Sequence, residues 1–217
     1  MSQLDVYSDV ICPWCYIGKQ HMQAALRQLE AEGLRFQVGW RPFQLNPDMP
    51  AGGLPRDEYR RAKFGSVARS RELDSQVAEA ARKAGIEIRH DRMQRTPNTL
   101  DAHRLIRWAG EQGKQDPVVD RLFEAYFVEG RDIGERAVLA DVAGEAGLDR
   151  ETAAAYLGSE AGRAEIAAED EAVRRAGLTG VPTFVLDRHV LFSGAVAPDV
   201  FAEALAKAHR VIAGRAA

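Results

Sequence analysis

Cysteine is scarce in this 217-residue sequence: the chain has only two, Cys12 and Cys15, three positions apart. Two cysteines this close together cannot link distant parts of a fold, and alone they cannot supply the four ligands of a structural zinc site. A chain of this length also buries enough surface to form a hydrophobic core without crosslinks. The two cysteines therefore indicate chemistry more strongly than they indicate a structural crosslink.

Long apolar runs and an excess of one charge are also missing. No segment approaches the ~20 apolar residues of a membrane-spanning helix, and the first five residues have neither the basic segment nor the apolar run of a signal peptide. Lys and Arg total 29 against 32 Asp and Glu, a net charge of −3. This balance gives no general attraction for nucleic acid or for an anionic membrane. We therefore predict a cytoplasmic protein with neither kind of partner.

Signatures of a bound metal or cofactor are equally absent from the sequence. The histidines are scattered without the spacing of metal ligands. The sequence also contains no glycine-rich phosphate loop and no flavin signature. We therefore predict no metal and no resident cofactor, while glutathione stays possible as a co-substrate of the two cysteines.

Apolar spacing at the two ends of the chain predicts a small mixed sheet. The segment Leu4–Val10 is strand-like and is followed by helical spacing after Cys12, and alternating apolar residues at 34–40 predict a second strand. Two apolar runs separated by Asp187-Arg188 predict a hairpin, and a closing helix follows Pro198. The two ends therefore predict the order β-α-β and then β-β-α.

Between these ends the apolar residues recur every three or four positions, which predicts a series of helices. We therefore predict an α/β protein in which a small domain of residues 1–50 and 178–217 is interrupted by a large all-helical insertion of residues 51–177. The two outer segments together have the size of a small domain with its own core. Only turn residues border the insertion, so we do not expect a flexible tether.

The two cysteines lie where the first strand meets the first helix, in the sequence Cys12-Pro13-Trp14-Cys15. A cysteine at a helix start faces backbone N–H groups without partners, which together with the helix dipole favour the thiolate. Pro13 suits the first helical position because it has no N–H to leave unpaired. Cys15 is one turn further on the same side, so its sulfur can reach that of Cys12. We therefore predict Cys12 as an exposed nucleophile and Cys15 as the resolving cysteine of a mixed disulfide.

Several segments resemble a known family, namely Ser8–Gly18, Phe43–Pro47, Pro97–Thr99, Ala102–Leu105 and Gly180–Phe184. They resemble the DsbA-like branch of the thioredoxin superfamily, whose fold carries a helical insertion, and within it the FrnE-like subgroup. The architecture is also similar to that of 2-hydroxychromene-2-carboxylate isomerases and kappa-class glutathione transferases. The resemblance covers nearly the whole chain and implies a thiol-disulfide oxidoreductase.

The resemblance also implies roles for residues away from the cysteines. It implies a cis bond before Pro182, with this proline facing the two cysteines, and a backbone at Val181 that pairs with substrate. Trp14, between the cysteines, is expected to face substrate as well. Asp9 resembles the buried carboxylate of thioredoxins that takes and returns the proton of the second cysteine, and a loop or capping aspartate is the alternative.

Two departures from the family pattern bear on activity. Some FrnE-like proteins carry a second cysteine pair near the C-terminus, which this chain lacks, so activities that need that pair should be absent. Strongly oxidising DsbA enzymes have a histidine between the cysteines, whereas Pro13-Trp14 is uncharged. We therefore expect a milder oxidant or a reductant.

Other polar residues receive weaker interpretations. The segment Arg56–Lys63 is interpreted as the solvent-exposed face of a helix. Asn46, Asn98 and His103 are candidates for lining a cleft between the insertion and the core. Asn98 is also typical of a helix start, and His103 of an ordinary surface or hydrogen-bonded histidine.

Three functions remain open at this point. The first is a disulfide reductase, isomerase or oxidase acting on thiol- or disulfide-containing proteins or small molecules. The second is a glutathione-dependent transferase or isomerase, although the similar enzymes of that kind have a serine at the position of Cys12. The third is a chaperone-like binder in which the cysteines are incidental, and it predicts activity without them. The sequence does not specify an oligomeric state.

Overall fold

The structure, a computed structural model, describes residues 2–215. Six strands and nine α-helices are found in this part of the chain, together with one π-helical turn. In chain order they are β1 (Ser2–Ser8), α1 (Pro13–Ala31), β2 (Phe36–Pro42), β3 (Leu54–Pro55), α2 (Arg56–Phe64), α3 (Val67–Lys83), β4 (Arg95–Thr96), α4 (Leu100–Gly110), α5 (Gln115–Glu124), the π-helical turn (Ala125–Glu129), α6 (Arg136–Glu145), α7 (Arg150–Gly158), α8 (Arg163–Arg175), β5 (Thr183–Leu186), β6 (His189–Ser193) and α9 (Pro198–Arg215).

The central sheet has four strands in the order β2-β1-β5-β6. β1 pairs with β2 in parallel, while β5 is antiparallel to both β1 and β6. The turn between β5 and β6 places Asp187 and Arg188 at positive φ, 44° and 72°, as a tight hairpin requires. The β-α-β and β-β-α parts predicted from the sequence are confirmed.

Burial explains why the sheet forms where it does. In β1, Leu4 and Val6 are buried and alternate with half-buried residues, as expected for a strand that packs on one face. The four residues of β5 are all buried, because β5 is a central strand. α1 packs against α9, and α4, α5 and α8 contact β2.

The segment between the two parts of the sheet is mainly helical, and the predicted fold class, a thioredoxin fold with a large helical insertion, is confirmed. A pair of two-residue strands, β3 and β4, was not predicted. No helix begins at Thr96-Pro97, because Thr96 pairs with Leu54 in that small sheet. The helix begins instead at Leu100, whose N–H donates to the Asn98 side chain at 2.9 Å. The division at residues 50/51 and 177/178 stays a prediction.

A buried lysine links α1 to the insertion. Lys19 is fully buried, and its ammonium lies 3.1 Å from Asp116 and 2.8 Å from Asp120, both on α5. Asp116 lies in the first turn of α5, and its carboxylate also accepts a hydrogen bond from the Trp40 indole at 3.0 Å. A charge this deep is stable only when it is paired, so this cluster fixes α1 against α5.

No helix among residues 2–215 has the length and the apolar composition to cross a membrane.

Candidate active site

Cys12 caps the N-terminus of α1. Its backbone is extended, with φ −89° and ψ 114°, and Pro13 occupies the first helical position. The Cys12 N–H donates to the Asp9 carbonyl at 3.0 Å, and its own carbonyl accepts from Cys15 at 3.0 Å and Tyr16 at 3.3 Å. The chain therefore turns sharply from β1 into the helix, and the predicted strand-to-helix junction at the cysteines is confirmed.

The two cysteines lie 3.5 Å apart and are not joined by a disulfide. Cys12 is the cap residue of α1 and Cys15 is on its first turn, so they are close, as their spacing predicts. Because this separation is short, an S–S bond can form with a small movement of the side chains. The pair is therefore placed for reversible oxidation.

The resolving position is strongly shielded from water. Burial of Cys15, together with its contact to Cys12, raises the pKa of the Cys15 thiol well above its ordinary value. Hydrogen bonding with the Ser8 side chain and the Asp9 backbone lowers the same pKa but does not offset these effects. Cys15 is therefore a protonated thiol at neutral pH and needs a base before it can attack.

Cys12 is less accessible than the sequence predicted. It was expected to be an exposed thiol, but it is 5% exposed, compared with 1% for Cys15. Its sulfur lies 3.8 Å from the Val181 carbonyl oxygen, so the loop before β5 covers one side. The exposed-thiol expectation was wrong because the sequence does not show how closely this loop approaches. What distinguishes Cys12 is that it lines an open cleft, which Cys15 does not.

The loop before β5 lies against the cysteine helix. The Val181-Pro182 bond is cis, as the resemblance implied. A methyl group added at Gly18 of α1 would lie 3.0 Å from the Pro182 ring, so the two segments are in close contact. Val181 is half-buried and Pro182 is buried.

A cleft of about 360 Å³ opens beside Cys12, between α1 and the first two helices of the insertion. Trp14, predicted to face substrate, lines it and is 42% exposed. Part of the lining is apolar or aromatic and includes Phe64, Val77 and Phe127. The cleft therefore places an exposed aromatic ring and an apolar wall beside the candidate nucleophile.

Comparison with known proteins agrees with this arrangement. The family model described as a DSBA-like thioredoxin domain matches residues 3–206. The chain belongs to this DSBA-like family. A probable DsbA oxidoreductase from Streptomyces coelicolor has 32% sequence identity, a TM-score of 0.86 and coverage of 96% of this chain and 90% of its own.

Two more distant structures share the fold. A cytosolic disulfide reductase DsbM from Pseudomonas aeruginosa, whose structure was determined with GSH, has 23% identity and a TM-score of 0.67, covering 96% of this chain and 99% of that chain. A 2-hydroxychromene-2-carboxylate isomerase has 17% identity and a TM-score of 0.69, covering 99% and 98%. The architectural likeness to 2-hydroxychromene-2-carboxylate isomerases is confirmed, while the likeness to kappa-class glutathione transferases stays a prediction.

Basic residues of the cleft in this DSBA-like protein were not identified as such from the sequence. The run Arg56–Lys63 was interpreted as a solvent-exposed face, but Arg56, Arg60 and Lys63 all line the cleft. Their spacing of four and three residues places them on one face of α2, which is the signal that the interpretation overlooked. Arg56 and Arg60 both pair with Asp74, at 2.8 and 2.7 Å. The cleft wall therefore keeps a surplus of positive charge.

His90 also lines the cleft but adds no charge at neutral pH. Burial lowers the pKa of its imidazole, as do the nearby Arg56 and Arg60, and Asp74 at 3.5 Å only partly opposes this effect. The electrostatics of this wall are therefore set by the arginines, Lys63 and Asp74.

Of the other polar residues that the sequence suggested for the site, only Asn46 lies near the cleft beside Cys12. Asn46 accepts a hydrogen bond from the Tyr59 hydroxyl at 2.8 Å, near the cleft, while Asn98 donates to the Met49 carbonyl at 2.7 Å, away from it. Asp9 is fully buried, and His103 lies beside it with 3% exposure. The structure thus brings Asp9 and His103 together, and His103 lines a crevice between β2 and the helices α4, α5 and α8 that is separate from the cleft beside Cys12.

No group of three or more metal-ligating side chains is found within residues 2–215.

Proposed function

We propose that the protein is a thiol-disulfide oxidoreductase that works through a Cys12–Cys15 redox pair. The observation that carries this proposal is the 3.5 Å separation of two free cysteines at a helix start, one lining a cleft and the other enclosed. A helix N-terminus favours the thiolate at the first position. The membership of the DSBA-like family supports the same assignment.

The proposed reductive cycle has two exchange steps. The Cys12 thiolate attacks one sulfur of a substrate disulfide, and the other substrate sulfur leaves with the electron pair of the broken S–S bond. Cys15 then attacks the Cys12 sulfur and releases the second substrate thiol, leaving the two cysteines oxidised to a disulfide. Run in reverse, the same steps oxidise a substrate dithiol. A reductant of the thiol class returns the pair to its starting state.

Substrate contacts are proposed at the cleft beside Cys12. The Val181 backbone faces this sulfur and is available to pair with an extended substrate backbone. Trp14 lines the same cleft, and the buried Pro182 is proposed to hold Val181 in place for this contact. A protein that binds its substrate through backbone hydrogen bonds and one aromatic ring has little selectivity for the substrate's sequence.

We also propose that the protein belongs to the FrnE-like subgroup and that it is cytoplasmic. We propose further that the Cys12–Cys15 pair is a milder oxidant than that of the strongly oxidising DsbA enzymes, or a reductant. The residues between the cysteines, Pro13 and Trp14, are uncharged, so no imidazolium adds to the stabilisation of the thiolate. The reduction potential of the pair, measured by equilibration with glutathione buffers, tests the proposal directly. A reversible two-electron couple is expected, and a pair that cannot be oxidised would contradict it.

Glutathione is proposed as a co-substrate because of the charge of the cleft. Arg56, Arg60 and Lys63 provide three cations against the single carboxylate of Asp74, and glutathione carries two carboxylates. The DsbM structure determined with GSH, which shares the fold, supports the same class of small thiol. A glutathione-dependent transferase or isomerase is the alternative function. It does not account for the second cysteine at resolving distance.

Substitution of Lys63 by glutamine is expected to raise KM for glutathione disulfide by about threefold with kcat unchanged. An exposed charge contributes modestly, and Lys63 is the exposed cation of the cleft, whereas the two arginines are paired with Asp74. The measurement is steady-state reduction of glutathione disulfide with an NADPH-coupled assay. A neutral hydroxyethyl disulfide, assayed in parallel, should show no change in KM.

Lys207→Gln provides the matched control, because Lys207 is an exposed lysine of α9 that does not line the cleft. Its KM for glutathione disulfide should equal that of the wild type. Equal KM values in Lys63→Gln and the wild type, or an equal rise for the neutral disulfide, would show that the cleft does not select anionic substrates.

A further inference from the structure

Helix α2 forms one wall of the cleft beside Cys12 without packing into the hydrophobic core. All nine of its residues are half-buried or exposed, and its main contacts are with α3 and with the small sheet of β3 and β4. Most helices in proteins are stabilised by packing an apolar face, and a segment with few buried apolar contacts opens more easily than the rest of the fold. α2 is therefore held in place mainly by polar contacts.

A single carboxylate on α3 makes the strongest of these contacts. Asp74 pairs with Arg56 at 2.8 Å and with Arg60 at 2.7 Å, and the three side chains are only 16%, 11% and 16% exposed. Arg60 also donates to the Ser70 carbonyl at 3.0 Å, and the Tyr59 hydroxyl donates to the loop after β2. Because charge-assisted hydrogen bonds are stronger than neutral ones, Asp74 provides the main attachment of α2 to α3.

Asp74 also holds two like charges together. Arg56 and Arg60 are one turn apart on α2, and both approach the same carboxylate. Burial, followed by the neighbouring Arg56, lowers the pKa of the Arg60 guanidinium, while Asp74 opposes this effect. Without the carboxylate the two guanidinium groups repel each other beside α3. His90, 3.5 Å from Asp74, is a base and cannot replace the carboxylate.

The two ends of α2 are attached differently. At its start, β3 pairs with β4 through Leu54 and Thr96, and the Arg56 N–H donates to the Gln94 carbonyl at 2.9 Å. At its end, Gly65 has φ 82°, a conformation that glycine adopts without strain, and a methyl group added there has open space around it within residues 2–215. α2 can therefore open about its start, with Gly65 absorbing the change in backbone angles.

The cleft that α2 borders has the size of a small-molecule site. Its volume of about 360 Å³ is near the lower end of the range for small-molecule pockets, and Cys12 beside it is only 5% exposed. A polypeptide that pairs with Val181 and presents a disulfide to Cys12 needs more room than this. Movement of α2 away from α3 widens the cleft.

We propose that Asp74 determines the substrate class of the cysteine pair by latching α2 over the cleft. Small-molecule disulfides react in the latched form, and polypeptide disulfides react only after α2 has opened. The inference rests on the proposed redox cycle and adds a selection step before it, with the sulfur exchange itself unaltered. Asp74 touches no reacting atom and is therefore a positioning residue.

Hydrogen exchange measured by mass spectrometry tests the latch without any substrate. In Asp74→Asn the amides of α2 should exchange about tenfold faster than in the wild type, as expected on loss of a partly buried charge pair. Those of α5, which packs in the core, should keep their rates. Glu79→Gln is the matched control, because Glu79 is an exposed carboxylate of α3 that pairs with Arg82, and it should leave α2 unchanged.

Asp74→Glu separates the charge from the rest of the side chain, and it should restore slow exchange of α2 in part. Equal exchange of α2 in the wild type and Asp74→Asn would overturn the latch. Faster exchange by the same factor throughout the chain would also overturn it, because this result assigns Asp74 a general structural role.

Steady-state kinetics test whether the latch selects the substrate. Asp74→Asn should lower KM for a long disordered peptide with one internal disulfide by about tenfold, with kcat unchanged, because a larger fraction of the protein is open before binding. KM for hydroxyethyl disulfide, a small neutral molecule, should fall far less. Equal falls in the two KM values would show that Asp74 does not select by size.

Failure of the latch and failure of the redox cycle give different results. If the wild type reduces neither disulfide, the proposed function is wrong, and exchange of the α2 amides still decides whether Asp74 holds this helix. If the wild type reduces the peptide disulfide with a higher kcat/KM than hydroxyethyl disulfide, the selection is wrong and the redox function stands.

Discussion

Cys12→Ser is expected to lower turnover of every disulfide substrate by at least roughly a thousandfold, because a hydroxyl is a far weaker nucleophile than a thiolate at neutral pH. The side chain is nearly isosteric and lies at the edge of the cleft, so the fold should be retained. The measurement is reduction of glutathione disulfide and of a protein disulfide by the same purified variant.

Urea unfolding supplies the control for Cys12→Ser. The midpoint should match that of the wild type, which assigns the loss to chemistry and not to folding. Turnover within tenfold of the wild type would remove Cys12 from the mechanism and would favour the binder in which the cysteines are incidental.

Arg104→Ala is expected to give the largest loss of stability, about 3–5 kcal/mol. The guanidinium is fully buried and donates hydrogen bonds to Asp101 at 2.7 Å and to backbone carbonyls of Ala161 and Ser159, at 2.8 and 2.7 Å. Further carbonyl acceptors are those of Leu157 and Tyr156, at 3.3 and 3.1 Å. Removing the guanidinium takes away the donor of the Ala161 and Ser159 carbonyls, and the free energy of unfolding in urea will report the loss.

Two further variants sharpen the Arg104 prediction. Arg104→Lys should recover only part of the loss, because an ammonium cannot reproduce the planar set of donors. Arg107→Ala, one turn along α4 and 45% exposed, should change stability by less than ~1 kcal/mol because its pairing with Glu169 is solvent-exposed. Similar losses in Arg104→Ala and Arg107→Ala would contradict this account of the buried network. Arg104 also anchors the helix that carries His103.

The order of the main elements could be predicted because their apolar spacing is regular. β1, α1 and the hairpin around Asp187-Arg188 each have a clear period or turn, and the cysteine pair lies at the predicted junction. β3 and β4 have two residues each, which is too short for any period to show. Their pairing depends on contacts between distant parts of the chain, as does the start of α4 beyond Pro97.

The candidate site was predictable only where its members are close in sequence. Cys12 and Cys15 are one helical turn apart, so their proximity follows from helix geometry. Asp9 and His103 meet only because α4 packs beside β2, and no local pattern encodes that contact. The shielding of Cys12 by the Val181 loop has the same origin. Most features of the site that the sequence did not predict therefore depend on packing between distant parts of the chain.

The most direct test of the account is to incubate each single-cysteine variant with a disulfide substrate and to look for a mixed disulfide by mass spectrometry. Cys15→Ser keeps the attacking sulfur and lacks the resolving one, so it should accumulate a covalent adduct at Cys12. Cys12→Ser should accumulate none, because its remaining thiol is enclosed and protonated. Equal adduct formation by the two variants, or an adduct on Cys15 alone, would contradict the assignment of Cys12 as nucleophile and Cys15 as resolving cysteine.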